Sequence, residues 1–271
     1  MKARGAGVTV HGQLAPGDKM DLKLKGQNAL ITGGTKGLGR AIADTLADEG
    51  CNVSICARNE AEVKSAVDAL SRKGVKAFGR AVDVANGDAL AAWVKESAEA
   101  LGGIDISVAN VSGANAQGEA GWRSNFEHDV LGTVRLVTAS LPHLEKSKNG
   151  NVIIISTTAA LEKFIAAGAY NAMKAALLNY SGALSQDLAP KGIRVNAVSP
   201  GPIMVTGGSW DRIKTHMKPF YDATLAQIPM GRMGNPEEVA ATVAMLVSPR
   251  CGFTTGTNVV VDGGITKRIQ Y

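Results

Sequence analysis

Cysteine is scarce in this chain of 271 residues, which contains three: Cys51, Cys56 and Cys251. Their number is odd, and their spacing is neither that of a zinc site nor that of a disulfide framework. Unpaired cysteines in low number are typical of a reducing compartment, so we expect a cytoplasmic protein without a metal site.

Long apolar runs are also missing. No segment approaches the roughly 18 apolar residues of a membrane-spanning helix, and we expect no membrane association. Residues 1–20 are rich in glycine and carry only a brief VTV run, unlike a secretory signal. We therefore expect a flexible N-terminal extension over residues 1–20 and a single domain over residues 21–271.

A strong charge bias is absent. The net charge is +5, and lysines and arginines are interleaved with acids rather than gathered in a stripe. This pattern argues against a nucleic-acid partner, although a basic balance favours an anionic ligand such as a nucleotide phosphate.

Hydrolase signatures are absent as well. The chain has no HExxH and no GxSxG motif, which disfavours a metallohydrolase or a serine hydrolase. Its four histidines are dispersed, and we expect His128 to be an exposed helix residue rather than a base.

Short β-branched runs alternate with longer stretches of helical periodicity. This alternation predicts an α/β fold: one doubly wound, Rossmann-type parallel sheet of about seven strands with helices on both faces. The predicted strands are 28–32, 52–57, 76–83, 105–110, 151–156, 193–198 and 257–261. The predicted helices are 38–49, 60–73, 87–101, 122–147, 167–189 and 236–247.

The segment from Pro200 to Asn235 shows neither the pattern of a strand nor that of a helix, and it is predicted to be irregular. A loop of that length inside a domain is usually functional, and we expect a substrate lid over about residues 203–235. Its apolar side chains are expected to line a pocket, with a core or a subunit contact as the alternative: Trp210, Met217, Phe220 and Tyr221.

A glycine-rich string, TGGTKGLG, follows the first strand and opens the first helix. Glycines at 33, 37 and 39 allow a sharp turn and close approach to a pyrophosphate, which the helix N-terminus then stabilises. Strand, loop and helix stand in the required order, so the string predicts dinucleotide binding.

Tyr170 and Lys174 are four residues apart in a predicted helix, so they share one face. A tyrosine hydroxyl is a weak acid, and a neighbouring ammonium favours its phenolate. The spacing alone is common, but in a chain with a nucleotide motif it predicts a proton-transfer pair.

Taken together, these motifs resemble the short-chain dehydrogenase/reductase family, and in particular its 3-oxoacyl-carrier-protein reductase branch. The resemblance extends over residues 22–264. It rests on the TGxxxGxG spacing, Tyr170 with Lys174, and four further segments in the family's order: Asp83-Val84, VANVSG at 108–113, Pro200-Gly201 and VVDGG at 260–264.

Charge indicates which nicotinamide dinucleotide the chain prefers. At the end of the second strand, an acid would bind the ribose 2′-hydroxyl, whereas a cation would attract a 2′-phosphate. Ala57 stands at that position, Arg58 follows, and Lys36 lies in the glycine loop. We therefore predict NADP(H), with NAD(H) as the alternative.

The resemblance also implies which residues contact the cofactor. Asp83 and Val84 would contact the adenine, and Asn110 would lie along the ribose and nicotinamide. The remaining implied contacts come from the glycine loop, the reactive pair and the turn beside the nicotinamide: Gly33, Thr35, Lys36, Gly37, Leu38, Gly39, Tyr170, Lys174, Pro200, Gly201 and Ile203.

For catalysis, the resemblance implies that Tyr170 exchanges a proton with the substrate while Lys174 holds the ribose. The family's serine, thirteen residues before the tyrosine, is replaced by Thr157, with Ser156 as the alternative hydroxyl. The family's usual asparagine is replaced by Asp129, which we hypothesise serves the proton relay in altered form or balances Lys174.

These features predict an NADP(H)-dependent oxidoreductase acting between a ketone or aldehyde and a secondary alcohol, both small molecules. The alternatives are an NAD-dependent alcohol dehydrogenase of the same family and a non-catalytic dinucleotide sensor. The resemblance further implies a homotetramer or homodimer in which helices 122–147 and 167–189 pack across one interface.

Overall fold

A computed structural model describes residues 20–113, 118–163 and 167–267. Within these ranges, seven strands form one sheet in the order β3-β2-β1-β4-β5-β6-β7, and all of the pairings are parallel. The strands are β1 Asn28–Thr32, β2 Asn52–Ala57, β3 Ala77–Ala81, β4 Ile106–Ala109, β5 Asn151–Ile155, β6 Arg194–Pro200 and β7 Asn258–Val261. The doubly wound α/β architecture is confirmed.

Helices connect successive strands and cover both faces of the sheet. The α-helices are α1 Gly37–Asp48, α2 Glu60–Ser71, α3 Gly87–Leu101, α4 Gly118–Asn125, α5 Gly132–Leu144, α6 Ala169–Leu188, α7 Ser209–His216, α8 Lys218–Leu225 and α9 Pro236–Val247. Asparagine side chains cap the N-termini of two of these helices. The Asn59 side chain accepts from the Glu62 amide of α2 at 3.0 Å, and the Asn86 side chain accepts from the Ala89 amide of α3 at 3.0 Å.

The sheet is buried on both faces, as its continuous apolar strands predict. One core cluster packs α1 and α9 against β1 and β2, with Ile31 and Val243 fully buried. The other packs α3, α5 and α6 on the opposite face around Trp93. The Trp93 indole donates to Ser54 Oγ at 3.0 Å, which satisfies its buried N–H group.

The prediction of one helix over residues 122–147 is wrong. A π-helical segment, Phe126–Leu131, separates α4 from α5. A π turn contains one extra residue, which shifts the side-chain directions without breaking the apolar pattern of the sequence. After this segment Gly132 passes so close to Val84 that a Cβ would lie 2.9 Å from Val84 Cγ2.

The prediction of an irregular segment from Pro200 to Asn235 is also wrong, because α7 and α8 lie inside it. Each has eight residues, too few to show a clear periodicity. Trp210 of α7 packs with Ile228 and Met233 in a small core of its own. Its ring stacks on Phe220 with centroids 6.1 Å apart.

The aromatic side chains of that segment contact one another, and their role as a pocket wall stays a prediction. Trp210, Phe220 and Tyr221 pack mainly on one another and on the residues around them. Met217, by contrast, is 53% exposed.

The expected extension over residues 1–20 lies outside the described residues except for Met20, which is exposed. Among the residues that the structure describes, no helix is long and apolar enough to cross a membrane.

Candidate active site

The strand order reverses between β1 and β4, which lie side by side in the sheet. In open α/β sheets, ligands bind in the crevice that forms at the carboxyl ends of the strands at such a reversal. The glycine loop follows β1, and Asn110 follows β4. Both therefore border the predicted crevice.

Backbone geometry explains the glycines of the loop. Gly33 and Gly37 have φ values of +67° and +57°, a region that other residues rarely adopt. A Cβ at Gly39 would overlap the Gly33 carbonyl oxygen and the Asn110 amide. The loop consequently leaves no room for side chains on the inner side of the turn.

The N-terminus of α1 has the properties of an anion site. Its N-cap residue, Lys36, makes no side-chain capping hydrogen bond, and the first turn contains no acid. The first amides of a helix lack intrahelical acceptors, and the helix dipole adds positive potential there. With the glycine turn, this cradle fits the pyrophosphate of a dinucleotide.

Asn110 braces this cradle rather than pointing freely into the crevice. Its side-chain amide donates to the Thr32 carbonyl at 3.0 Å, and its backbone N–H donates to Thr32 Oγ1 at 3.0 Å. These bonds tie the end of β4 to the start of the glycine loop.

Lys174 lies in the interior, with only 2% of its surface exposed. Its ammonium donates to the Ile155 carbonyl at 3.0 Å and to the Val111 carbonyl at 3.4 Å. Asp129 Oδ1 lies 3.0 Å from the same nitrogen. The two atoms form an ion pair, but their angles do not meet the geometry of a hydrogen bond. Buried charges require such partners, and Asp129 supplies a full opposite charge.

Asp129 is itself completely buried on the π-helical segment. Its second oxygen, Oδ2, accepts from the Gly113 amide at 2.9 Å. Asp129 thus connects Lys174 to the loop that follows β4.

Tyr170 is the second residue of α6 and lies one turn before Lys174 on the same helix. Its side chain is partly exposed, whereas Lys174 is buried. Of the two side chains, that of Tyr170 therefore lies nearer the protein surface.

The two candidate hydroxyls after β5 have different partners. Ser156 is buried and donates to the Lys174 carbonyl at 3.0 Å. Thr157 Oγ1 accepts from the Ala159 amide at 3.2 Å and caps a short 3₁₀ turn, so its own proton stays available.

At the predicted adenine end, Asp83 Oδ1 accepts from the Ala85 amide at 3.0 Å, while Val84 is buried. The expectation that His128 is an exposed helix residue is wrong, because its side chain is only 20% exposed. Its Nδ1 faces the Ser124 carbonyl at 2.7 Å, so this nitrogen is the donor. Its Nε2 lies 3.3 Å from Asp83 Oδ1.

The turn after β6 lies against the last strand. Pro200 ends β6, the Gly201 amide donates to the Val261 carbonyl at 2.9 Å, and a Cβ on Gly201 would meet Asp262. Ile203 forms an isolated bridge with Gly234. Farther along, a Cβ on Gly37 would lie 3.2 Å from Val205, so this segment approaches the glycine loop.

The residues expected to choose the cofactor lie beside the glycine loop. Arg58 is exposed at the end of β2, and Leu38 packs partly into the core. Lys36 lies 3.5 Å from Glu62, a contact that sequence reasoning missed. Glu62 also accepts from Thr35 Oγ1 at 3.3 Å.

A doubly wound parallel sheet with a glycine cradle, a buried lysine and a tyrosine one turn before it defines a dinucleotide-dependent oxidoreductase. A family profile described as enoyl-(acyl carrier protein) reductase matches residues 33–266. The chain belongs to the short-chain dehydrogenase/reductase family.

Similar proteins support the same assignment. The isoepoxydon dehydrogenase patN of Aspergillus clavatus is 43% identical, covering 92% of this chain and 98% of the relative. The 3-oxoacyl-[acyl-carrier-protein] reductase FabG of Vibrio cholerae is 31% identical, covering 90% and 99%.

Among solved structures, the L-sorbose reductase of Gluconobacter frateurii, complexed with NADPH and L-sorbose, superposes with a TM-score of 0.84. It is 29% identical, and the match covers 92% of this chain and all of that one. A nicotinamide dinucleotide is thus present in a protein of the same fold and family.

Proposed function

We propose that this protein transfers a hydride between NADP(H) and a ketone or aldehyde, or the corresponding secondary alcohol. The observation that supports this most directly is the buried Lys174, fixed by two carbonyls and Asp129, one turn after the more exposed Tyr170. When bound, the nicotinamide supplies the hydride or accepts it.

The chain's own residues bind and orient the cofactor. The glycine loop, from Gly33 to Gly39, and the N-terminus of α1 hold the pyrophosphate, while Asp83 and Val84 contact the adenine. Arg58 and Lys36 attract the 2′-phosphate, with NAD(H) as the alternative cofactor. Lys174 holds the ribose, and the turn containing Pro200, Gly201 and Ile203 packs against the nicotinamide.

Proton transfer belongs to Tyr170. In the reduction, its hydroxyl donates a proton to the carbonyl oxygen, and in the oxidation its phenolate accepts one from the alcohol. Asp129 keeps the Lys174 ammonium in place. It also takes the part in the proton relay that an asparagine has elsewhere in the family.

Thr157 donates to the oxygen on which negative charge develops. Its hydroxyl oxygen already accepts from Ala159, which leaves the proton free to point into the crevice. The Ser156 proton is held by the Lys174 carbonyl, so Ser156 is the weaker candidate.

For the substrate, we propose isoepoxydon as the first compound to assay, because a relative named for it is 43% identical over nearly the full chain.

We further propose a homo-oligomer, a tetramer or dimer, in the cytoplasm. Two aromatic side chains on the α4 side, Trp122 and Phe126, are more than two-fifths exposed and would be covered in an assembly.

The test is an activity assay with isoepoxydon and a panel of ketones, aldehydes and alcohols, each with both cofactors, followed by the absorbance of reduced nicotinamide. We expect turnover, and we expect Tyr170→Phe to lower kcat by about 10²–10⁴-fold. Tyr180→Phe, on the same helix, is the matched control and should keep its activity.

Cofactor binding without turnover of any compound would support a dinucleotide sensor instead. A Tyr170→Phe variant as active as the wild type would remove the tyrosine from the mechanism. Size-exclusion chromatography with light scattering measures the oligomeric state, and a monomer would contradict the proposed assembly.

A further inference from the structure

Glu62 connects two elements that both border the cofactor crevice. It lies in the first turn of α2, where its amide donates to the Asn59 side chain at 3.0 Å. Its carboxylate extends to the glycine loop, where Oε2 accepts from Thr35 Oγ1 at 3.3 Å and Oε1 lies 3.5 Å from Lys36 Nζ.

This position is one where charge decides between two cofactors. The ribose 2′ group of a dinucleotide lies near the end of the second strand, where an acid selects the hydroxyl and a cation selects the phosphate. Ala57 ends that strand and carries no charge. The acid that faces the loop cation instead comes from α2.

We propose that Glu62 sets the cofactor preference by weakening selection for the 2′-phosphate. This inference rests on the proposed function and adds a specificity-determining residue to it. The carboxylate pairs with Lys36, repels a bound 2′-phosphate, and offers an acceptor to a 2′-hydroxyl. The site therefore accepts NAD(H) as well as NADP(H), although both Lys36 and Arg58 favour the phosphate.

The solvent exposure of the pair limits the size of the effect. The Lys36 and Glu62 side chains are 80% and 42% exposed, so water and salt screen them. A unit charge a few ångströms from a phosphate in such surroundings changes affinity by about tenfold. Glu62 therefore adjusts the preference without abolishing the binding of either cofactor.

Glu62→Gln isolates this effect, because it removes the charge and keeps the side chain's length. The probes are 2′,5′-ADP and ADP, which differ by the 2′-phosphate, titrated by calorimetry in the absence of substrate. We expect the variant to bind 2′,5′-ADP about tenfold more tightly than the wild type and ADP nearly as the wild type does. The NADPH-to-NADH affinity ratio should rise in parallel.

Glu60→Gln is the matched control, since Glu60 is the other acid in the first turn of α2 and is exposed. Glu60→Gln changes the charge at the N-terminus of α2 by the same amount as Glu62→Gln does. It should leave the NADPH-to-NADH affinity ratio unchanged. The single variant Lys36→Gln and the double variant Glu62→Gln/Lys36→Gln complete a mutant cycle. If Glu62 acts partly through Lys36, part of the gain disappears when Lys36 is absent.

The outcomes separate the two proposals. If the wild type binds neither probe and neither cofactor, the proposed function fails. If it binds them but Glu62→Gln changes the affinities of both probes equally, or Glu60→Gln changes them as much, the inference about Glu62 fails alone. Urea unfolding of each variant checks that the fold is intact.

Discussion

The ammonium of Lys174 lies 3.0 Å from the carboxylate of Asp129, and both side chains are buried. The two residues belong to different elements, α6 and the π-helical segment. Each side chain places an oppositely charged group beside the other, which offsets part of the cost of burying the two charges. Asp129 therefore contributes to the fold as well as to the proposed site.

Asp129→Ala should destabilise the protein by about 3–5 kcal/mol, because it leaves a buried ammonium unpaired. Asp129→Asn should lower the stability less than Asp129→Ala does and should retain more turnover. The reason is that the amide oxygen still accepts from Lys174 or from water. Urea unfolding and kcat measure the two effects separately.

Glu127→Ala is the control for this pair. Glu127 lies in the same π-helical segment but forms a half-exposed ion pair with Arg135. Loss of this ion pair should therefore lower the free energy of unfolding by less than about 1 kcal/mol. An Asp129→Ala variant with wild-type stability and turnover would show that Asp129 serves neither role.

Thr157→Ala should lower kcat by about 10²–10³-fold, because it removes a donor to the developing negative charge. Thr157→Ser should restore most of the activity. Ser156→Ala should instead cost about 1 kcal/mol of stability through the lost bond to the Lys174 carbonyl, with a smaller effect on kcat. The reverse ranking of the two alanine variants in kcat would assign the hydroxyl role to Ser156.

Local patterns predicted most of the fold. Apolar strands and amphipathic helices are encoded over five to twenty neighbouring residues, and all seven strands and most helices lie within two residues of their predicted bounds. The glycine loop was predictable for the same reason. The π-helical segment was not, because its one extra residue leaves no distinct local pattern in the sequence.

Contacts between distant residues were harder to predict. The sequence suggests that Asp129 balances Lys174, because a family motif places them together. No motif connects Glu62 to Lys36, or His128 to Asp83, since each contact depends on how a helix sits beside a loop. Side-chain direction across elements is a property of tertiary packing, which a single sequence does not display.

The buried cysteines should resist alkylation in the folded protein. Burial raises the pKa of Cys51 to about 12, with a further contribution from Asp105, and burial also raises the pKa of Cys56. Both therefore stay protonated at pH 8, whereas the thiolate is the reactive form. Mass spectrometry after iodoacetamide treatment should find label on Cys251 first, and on the other two only after unfolding. Rapid labelling of Cys56 in the native protein would contradict its burial.

Acid should weaken the attachment of α9 through Glu238. Its carboxylate receives two bonds from Arg232, at 2.6 and 2.8 Å, and one from the Asn235 amide at 2.8 Å. These bonds lower its pKa from 4.5 to about 2, with the Arg232 hydrogen bond as the largest cause. The unfolded chain therefore binds this proton more tightly than the folded one does.

It follows that the stabilisation from Glu238 is complete above pH 4.5 and is lost as the pH falls towards 2. Glu238→Gln should lower the free energy of unfolding at pH 7, and its difference from the wild type should shrink as the pH falls through that range. Glu237→Gln, its exposed neighbour in the same helical turn, is the control and should follow the wild-type pH dependence. Urea unfolding at pH 7, and at several pH values between 4.5 and 2, compares the three proteins. A constant difference between Glu238→Gln and the wild type would mean that Glu238 supports α9 without its charge.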